Sequence, residues 1–325
     1  MKRPGYRHAA LSVTVLAAVV SAGCGSRAAT TASLSLEKQS LTIATVPTAS
    51  SAGLYIAQRD GFFQQAGLNV KIVNVGSGAG VTTNLLNGSI DVLNGAYAGF
   101  IQAEMHGAGK FHILADGYAS APSVDQIVVL PGSGITTAKQ LSGRTIAVNA
   151  LNSVAALLVS STLESQGVPP SQVHLVAIPF PAMPAALKAH HIDAAYLAEP
   201  YLSQAEVQIG GEALIDVNGG ATQNFPIDGY VATVRWCQRY PKTAAAVAAA
   251  IDRGQAIADT SRPEVESVLR TYTTIDKQIA AIMALGNFPT RVNAVHLQRV
   301  PDLMQSFGQL KQRFNITVMT NPVGS

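Results

Sequence analysis

Small polar residues and glycines follow the first two predicted strands, where each loop leads into a helix. Residues 47–51 (PTASS) come after a strand ending at Val46, and residues 76–80 (GSGAG) after one ending at Val75. Hydroxyl groups can cap the next helix or contact a solute, and glycines let several backbone N–H groups face one oxygen-rich group. A helix N-terminus favours an anion by about 0.3 to 1 kcal/mol. The candidate solute contacts here are Thr48, Ser50, Ser51, Gly76, Ser77, Gly78 and Ala79.

The glycine-rich loop does not match the known nucleotide-binding patterns. GSGAG is not the GxGxxG fingerprint of dinucleotide-binding proteins, and the chain has no GxxxxGK[ST] phosphate-binding loop. An ordinary glycine-rich turn between a strand and a helix is the alternative, and it stays open.

A second group of polar residues follows two strands in the middle of the chain. Asn149, Asn152 and Ser153 follow the strand 145–148 and open a helix, so they could bind solute, cap that helix or do both. Glu199 and Tyr201 follow the apolar strand 194–197. A dry, unpaired carboxylate is costly, so Glu199 needs a partner. An amine or protonated ring nitrogen of a solute would serve, as would solvent or a nearby Lys or Arg; Tyr201 offers an aromatic face or a hydroxyl.

Four more polar or aromatic residues lie near predicted strand ends. Asn94 and Tyr97 follow the third strand, Tyr118 follows the fourth, and Asp228 precedes the last one. Each could line a binding site or serve only the packing of the scaffold, and Asp228 could also fix a hinge.

The sequence contains no recognisable pattern of catalytic or metal-ligating residues. His190, His191 and Asp193 are too close together at a helix end to converge on one ion, and no further ligand has recognisable spacing. No GxSxG nucleophile motif exists, and no Cys/His pair can be nominated from spacing. We therefore expect no catalytic residue, no metal and no cofactor.

The elements that position these residues alternate between short strands and helices. We predict strands at 41–46, 70–75, 91–94, 112–116, 127–130, 145–148, 173–178, 194–197, 214–217 and 229–237. The predicted helices are 52–66, 80–87, 100–106, 138–141, 154–166, 181–188 and 200–208. This alternation predicts an α/β fold with mostly parallel sheets and helices on both faces. Apolar stripes then predict three terminal helices: Val247, Ile251 and Ile257; Ile279, Ile282 and Met283; Leu303, Phe307 and Leu310.

Size and charge limit the class of protein. A chain of 325 residues, 48% apolar and 13% charged, is typical of a folded protein whose core divides into two domains. The formal charge of +3 comes from Lys2, Arg3 and Arg7, and the rest of the chain is neutral. Without a basic field there is no electrostatic reason to expect nucleic-acid binding.

The first residues are typical of an export signal. A basic start and the uncharged run 9–20, which is too short to span a bilayer, predict a signal peptide over 1–23. Cys24 after Ala22 and Gly23 resembles a bacterial lipobox, in which the cysteine is lipidated, although Ser21 replaces the preferred aliphatic residue. Cleavage by an ordinary signal peptidase is the alternative. Residues 24–39 predict a flexible, lipid-anchored tether, and Cys237, left without a partner, is interpreted as a buried structural thiol.

The chain repeats one short pattern. Residues 85–91 (LLNGSID) and 187–193 (LKAHHID) align without a gap, and each would place a helix end, a turn and the start of a strand. Two similar α/β lobes would produce this repeat, and chance in an alanine-rich chain is the alternative.

Four segments carry a resemblance to a known family. Residues 42–80, 140–149 (QLSGRTIAVN), 163–179 (LESQGVPPSQVHLVAIP) and 191–201 (HIDAAYLAEPY) resemble the solute-binding proteins of bacterial ABC importers, closest to those for nitrate, sulfonates, taurine and thiamine-pyrimidine precursors. The resemblance runs from about residue 40 to 240. It implies a periplasmic-binding-protein-like fold of two lobes, 40–128 with 229–325 and 129–228, joined by crossover strands near 127–131 and 225–231.

The resemblance also implies a function. The protein would capture a small anionic or zwitterionic solute by closing its lobes, and would deliver it as a monomer to a permease driven by a cytoplasmic ATPase. It would work outside the bacterial cell membrane, anchored by lipid on Cys24. A two-lobed ligand sensor is the first alternative. A pyrimidine-synthase-like enzyme is the second, and the cysteine-rich iron-site segment of those enzymes has no counterpart here.

Overall fold

The computed structural model describes residues 1, 5, 35–76, 81–151 and 153–321. Ser77, Gly78, Ala79, Asn152 and the predicted lipidation site Cys24 lie outside the described residues. A single compact unit begins at Leu36. Among the described residues, no helix combines the length and apolar character that a bilayer crossing requires.

The first sheet combines strands from both ends of the compact unit. It has the order β2-β1-β3-β10-β4, in which β1 pairs parallel with β2 and β3, and β10 pairs antiparallel with β3 and β4. Ile43 and Ala44 in β1 are fully buried, as expected for a strand covered on both faces. The strand bounds are β1 Ser40–Thr45, β2 Asn69–Asn74, β3 Val92–Ala96, β4 Phe111–Ala119 and β10 Pro226–Thr233.

The second sheet repeats this arrangement with the middle of the chain. Its order is β7-β6-β8-β5-β9, and here β5 is the antiparallel strand, between β8 and β9. The bounds are β5 Asp125–Val129, β6 Thr145–Val148, β7 His174–Ala177, β8 Ala194–Ala198 and β9 Glu212–Asp216. The predicted fold class is confirmed, because each sheet has one antiparallel strand among otherwise parallel ones.

Helices cover the two sheets and form the C-terminal group. Buried Val247 and Ile251 lie on the long helix α9, which packs against α1, whereas Ile282, predicted on an apolar stripe, is 56% exposed. The bounds are α1 Ala52–Arg59, α2 Phe62–Gln65, α3 Thr82–Leu86, α4 Tyr97–Met105, α5 Val154–Ser165, α6 Met183–Lys188, α7 Tyr201–Ile209, α8 Val234–Arg239, α9 Pro241–Thr260, α10 Arg262–Tyr272, α11 Lys277–Ile282, α12 Ala294–Leu297, α13 Arg299–Ser306 and α14 Thr317–Thr320.

Three predicted elements differ from the structure for local reasons. The predicted strand 229–237 ends at Thr233, whose hydroxyl accepts a hydrogen bond from the Trp236 N–H and caps α8. Cys237 therefore lies in a helix, where it is buried and free. The predicted helix 52–66 breaks at Gly61, which has a φ of +72°. The segment 138–141 is a 3₁₀ helix, capped by Thr137 and Gln140.

The repeated sequence pattern has the same geometry in both sheets. The carboxylate of Asp91 accepts a hydrogen bond from the N–H of Thr42 at 2.9 Å, and that of Asp193 accepts one from Thr145 at 2.8 Å. Each aspartate also donates its own N–H to the carbonyl of the same partner residue, at 2.9 Å in both cases. In both segments the aspartate therefore joins the start of one strand to the neighbouring strand by two hydrogen bonds.

The chain just before β1 contacts the C-terminal helices. Glu37 accepts a hydrogen bond from the N–H of Thr243 at the start of α9, at 3.0 Å, and Lys38 forms an ion pair with Asp91. These residues belong to the segment that the sequence predicts as a tether.

Candidate functional site

A cavity of about 80 Å³ lies between the edges of the two sheets. Its walls come from the loop before α1, the start of α4, the start of α5 and the residues that end β3 and β8. The volume is room for several water molecules or one small solute. Eight of the residues predicted as solute contacts line it: Thr48, Ser50, Asn94, Tyr118, Asn149, Ser153, Glu199 and Asp228.

Four other predicted contacts lie elsewhere. Ser51 is fully buried behind the cavity wall, and the fully buried Tyr97 donates its hydroxyl hydrogen to Asp116 at 2.5 Å. Gly76 and Tyr201 line a neighbouring pocket, which shares Val46 and Phe180 with the cavity.

A hydrogen-bond chain holds Asp228 in the wall of the first sheet. The Asn94 amide donates to Asp228 at 3.2 Å, and its oxygen accepts from the Thr45 hydroxyl at 2.8 Å. Thr45 in turn lies 2.6 Å from the Ser51 hydroxyl, which donates to the Val46 carbonyl at 2.7 Å. Ser51 therefore supports the wall from behind.

Both carboxylate oxygens of Glu199 accept hydrogen bonds from protein groups. Its Oε1 accepts hydrogen bonds from the Ser203 hydroxyl at 2.8 Å and from the Ala284 N–H at 3.1 Å, and its Oε2 accepts one from the Ser203 N–H at 3.1 Å. The partner that the sequence required for this carboxylate is thus the first turn of α7, together with the segment after α11. No Lys or Arg is among these partners.

Asp125 is a cavity residue that the sequence did not single out. It is the first residue of β5, and the register pairs it with Ala198, the last residue of β8 and the neighbour of Glu199. Asp228 has the equivalent place in β10, opposite Ala96 at the end of β3. The antiparallel strands therefore bring their early residues to the edge where the parallel strands end. The polar start of the apolar run 125–129 is the sequence signal, but its position depends on strand pairing.

The three carboxyl groups in the cavity wall are all buried, and burial raises the pKa of each. The pKa of Asp125 rises to about 7, although a hydrogen bond from Tyr196 lowers it. The pKa of Glu199 also rises to about 7, against the effect of its Ser203 and Ala284 hydrogen bonds, and that of Asp228 rises to about 6, against hydrogen bonds from Ser50 and Asn94. Desolvation dominates in all three because the charged form loses its hydration.

The first turns of two helices add partial positive charge to the cavity wall. Gly99 and Phe100 in the first turn of α4 line the cavity, as do Ser153 and Val154 at the start of α5. Ser153 caps α5, because its hydroxyl accepts from the Ala156 N–H, at 3.5 Å. N-terminal helix turns carry partial positive charge, so the cavity contains both anion-favouring and cation-favouring groups.

Aromatic side chains close one side of the cavity. Phe180 and Tyr196 line it with their ring centroids 6.2 Å apart, and Phe180 also stacks on Tyr201 with 5.6 Å between centroids. Across the described residues, His, Cys, Asp and Glu side chains nowhere gather in a group of three or more that could hold a metal ion.

Hydrogen bonds connect elements of the two sheets beside the cavity. The N–H of Ala49 donates to the Glu199 carbonyl at 2.9 Å, and the Tyr201 hydroxyl donates to the Pro47 carbonyl at 3.1 Å. With the Ala284 contact to Glu199, three hydrogen bonds converge on residues 199–201. Residues 199–201, which directly follow β8, therefore form one of the contacts between the elements of the two sheets.

A sequence profile of the NMT1-like family matches residues 35–270, which is most of the chain. The chain belongs to the NMT1-like family. A search of curated protein sequences finds no match to this NMT1-like protein.

Solved structures share the fold of this NMT1-like protein at low sequence identity. The alkanesulfonate-binding protein SsuA from Xanthomonas axonopodis pv. citri, bound to MOPS, is 17% identical with a TM-score of 0.75, covering 88% of this chain and 99% of its own. The periplasmic nitrate-binding protein NrtA from Synechocystis PCC 6803 is 16% identical with a TM-score of 0.74, covering 87% and 86%. The desulfurization enzyme DszB is 16% identical with a TM-score of 0.67, covering 88% and 97%. Family and fold thus confirm the resemblance read from the sequence, and the fold occurs in binding proteins and in an enzyme.

Proposed function

We propose that this protein is the solute-binding component of a bacterial ABC importer. A cavity lies between the edges of two similar sheets, and polar groups from both sheets are in its wall. Such a cavity suits capture of a small molecule. The similarity in fold to sulfonate- and nitrate-binding proteins supports the same function.

The mechanism is capture, closure and delivery. A solute that touches residues of both lobes, 40–128 with 229–325 and 129–228, gains those contacts only when the lobes are closed. Its binding therefore shifts the population toward the closed form. A permease recognises the closed form, and a cytoplasmic ATPase drives release of the solute. The binding protein itself acts as a monomer.

The solute is small and carries an anionic or zwitterionic group. The first turns of α4 and α5 supply partial positive charge to the cavity wall, which stabilises an acidic group on the solute. The similar structures SsuA and NrtA are an alkanesulfonate-binding protein and a nitrate-binding protein. Sulfonates, taurine, nitrate and pyrimidine precursors are the proposed candidates.

The protein works on the extracytoplasmic side of the membrane. The export signal over 1–23 and the lipobox-like residues before Cys24 support secretion followed by lipid anchoring. The residues from 24 up to the compact unit would hold the binding domain close to its permease.

Binding without chemical change is proposed over catalysis. The similarity in fold to DszB favours an enzyme as the second candidate. Against catalysis by a cysteine nucleophile, Cys237 lies buried in α8 and does not line the cavity, and burial raises the pKa of its thiol to about 12.

Purification of the full chain from its own host under native conditions tests the proposal. We expect a small molecule to co-purify, to be released by denaturation and to be identified by mass spectrometry. Added back to the stripped protein, it should raise the melting temperature and be recovered unchanged. Conversion into a product would favour the enzyme, and a preparation that neither retains nor rebinds any small molecule would contradict both functions.

A further inference from the structure

The cavity wall contains three carboxylates that differ in how many protein donors they already have. Glu199 accepts three hydrogen bonds from Ser203 and Ala284. Asp228 is hydrogen-bonded by Asn94 and by Ser50. Asp125 is 4% exposed, and within the described part of the chain its Oδ2 atom has no hydrogen-bond partner. Of the three, only Asp125 has a buried oxygen left over.

The described wall of the cavity offers Asp125 no positively charged side chain. The described residues that line the cavity include no Lys, Arg or His. A buried oxygen atom without a hydrogen-bond donor destabilises the folded protein. A ligand or a bound water ordinarily supplies a missing donor of this kind.

We propose that Asp125 is a binding residue for a positively charged nitrogen group of the solute, such as a primary ammonium or an amidinium. This assignment rests on the proposed solute-binding function and deepens it. An ammonium group at Asp125 supplies a charge-assisted hydrogen bond to the unpartnered oxygen and offsets the negative charge of the cavity. The acidic end of a zwitterion then faces the first turns of α4 and α5.

The same geometry separates the roles of Asp125 and Glu199. Glu199 holds the first turn of α7 against the segment after α11, so it is a positioning residue. Within the described part of the chain, the Asp125 carboxylate has a hydrogen bond from Tyr196 and an Oδ2 atom without a partner. Replacement of Asp125 therefore removes a contact to the solute, whereas replacement of Glu199 disturbs the wall.

Binding measurements on matched solutes test the assignment. Calorimetry and thermal shifts on the full chain would compare taurine with ethanesulfonate and β-alanine with propionate. We expect the amine-bearing member of each pair to bind more tightly. Asp125→Asn should weaken the amine-bearing members about ten- to a hundredfold and leave the amine-free members within about twofold. Glu164→Gln, an exposed change of the same charge on α5, should leave both members unchanged.

The pH dependence of the wild-type protein gives a readout that does not need the variant. The titratable groups acting on Asp125 are Tyr196, Glu199, Asp216, Asp228 and Tyr118. An ammonium group needs the ionised carboxylate, so taurine should bind more weakly as the pH falls from about 8 to about 5. Ethanesulfonate should not show this loss.

Several outcomes would overturn the assignment. These are equal or tighter binding of the amine-free members, failure of every amine probe, an amine preference that survives Asp125→Asn, and a co-purified solute without a cationic nitrogen. Tight binding of anions alone would leave the solute-binding function intact while removing Asp125 from it. Absence of any retained or rebound solute would instead contradict the proposed function itself.

Discussion

At the scale of single residues, the cavity is defined by the partners of its carboxylates. Glu199 stands out in the sequence as an acid after an apolar strand, and the structure satisfies it with two N–H groups and a hydroxyl. Asp125 draws no attention in the sequence, yet its Oδ2 atom is the carboxylate oxygen without a partner in the described cavity wall. The acid whose burial is conspicuous in the sequence is therefore not the acid whose oxygen lacks a partner in the described structure.

The raised pKa values predict how stability depends on pH. The folded protein holds protons on Asp125 and Glu199 up to about pH 7 and on Asp228 up to about pH 6, whereas unfolded carboxyls lose them near pH 4. Because the folded state binds more protons between these values, the free energy of unfolding of the solute-free protein should fall as the pH rises from about 4 to about 7. Urea unfolding at each pH measures this slope.

A variant of one of these acids provides the control for the pH series. Asp125→Asn removes one of the titrating groups, so its slope should be shallower than that of the wild type. A wild-type stability that instead increases across this window would show that these carboxyls do not carry the predicted protons.

At the scale of elements, two inserted strands place equivalent aspartates in the two sheets. Asp125 in β5 pairs with the last residue of β8, and Asp228 in β10 pairs with the last residue of β3. Each strand is antiparallel to its neighbours, so its beginning lies where theirs end. The cavity therefore receives acids from one strand of each sheet at the same register.

The repeated turn before β3 and β8 predicts a stabilising substitution. Gly88 has a φ of +81° with open space around it, and the equivalent residue, His190, has a φ of +54° and is exposed. A residue other than glycine in this left-handed region destabilises the folded state by about 1–2 kcal/mol. Glycine removes this strain, but it also raises the entropy of the unfolded chain, which offsets part of the gain in stability. His190→Gly should therefore raise the free energy of unfolding by up to about 1 kcal/mol in urea titrations.

The turn at Gly88, before β3, provides the matched control. Gly88→Ala should lower the free energy of unfolding, since it imposes on the first sheet the strain that His190→Gly relieves in the second. If the two substitutions shifted stability in the same direction, backbone strain would not be the reason for either effect.

At the scale of the whole molecule, the hydrogen bonds around residues 199–201 connect the two sheets beside the cavity. They involve the carbonyl of Pro47, the N–H of Ala49 and the N–H of Ala284. Two of the three bonds use a side chain, namely the Glu199 carboxylate and the Tyr201 hydroxyl. Because the Glu199 carboxylate also accepts hydrogen bonds from Ser203, the Tyr201 hydroxyl is the better group to remove alone.

Tyr201→Phe should favour separation of the two lobes. Loss of one hydrogen bond of about 1 kcal/mol would reduce the closed population about fivefold relative to the open one. Small-angle scattering should report a larger radius of gyration for this variant without solute. Tyr272→Phe is the control, because its hydroxyl donates to Thr48 at 2.9 Å from α10, a helix that packs on α1 beside the first sheet. Equal radii for Tyr201→Phe and the wild type would mean that this bond does not hold the lobes together.

The proposed anchor predicts where the protein is found in the cell. Cys24→Ala removes the thiol that would carry the lipid, so the protein should shift from the membrane fraction to the soluble extracytoplasmic fraction. Fractionation followed by immunoblotting measures the shift, with Cys237→Ala as the control for the second cysteine. Membrane association that persists in Cys24→Ala would exclude lipidation at this residue.

The order of strands and helices and their alternation into two mostly parallel sheets could be predicted from the amino-acid sequence. So could the strand ends and following loops that contribute Thr48, Asn94, Ser153 and Glu199 to the cavity. These features follow from local periodicity and from the rule that parallel strands end at a common edge. Only the folded chain brings Asp125 to the cavity, turns Tyr97 toward Asp116 and pairs Glu199 with Ala284, which is 85 residues away along the chain. Such facts depend on antiparallel register and on contacts between distant segments, and neither leaves a periodic signal in the sequence.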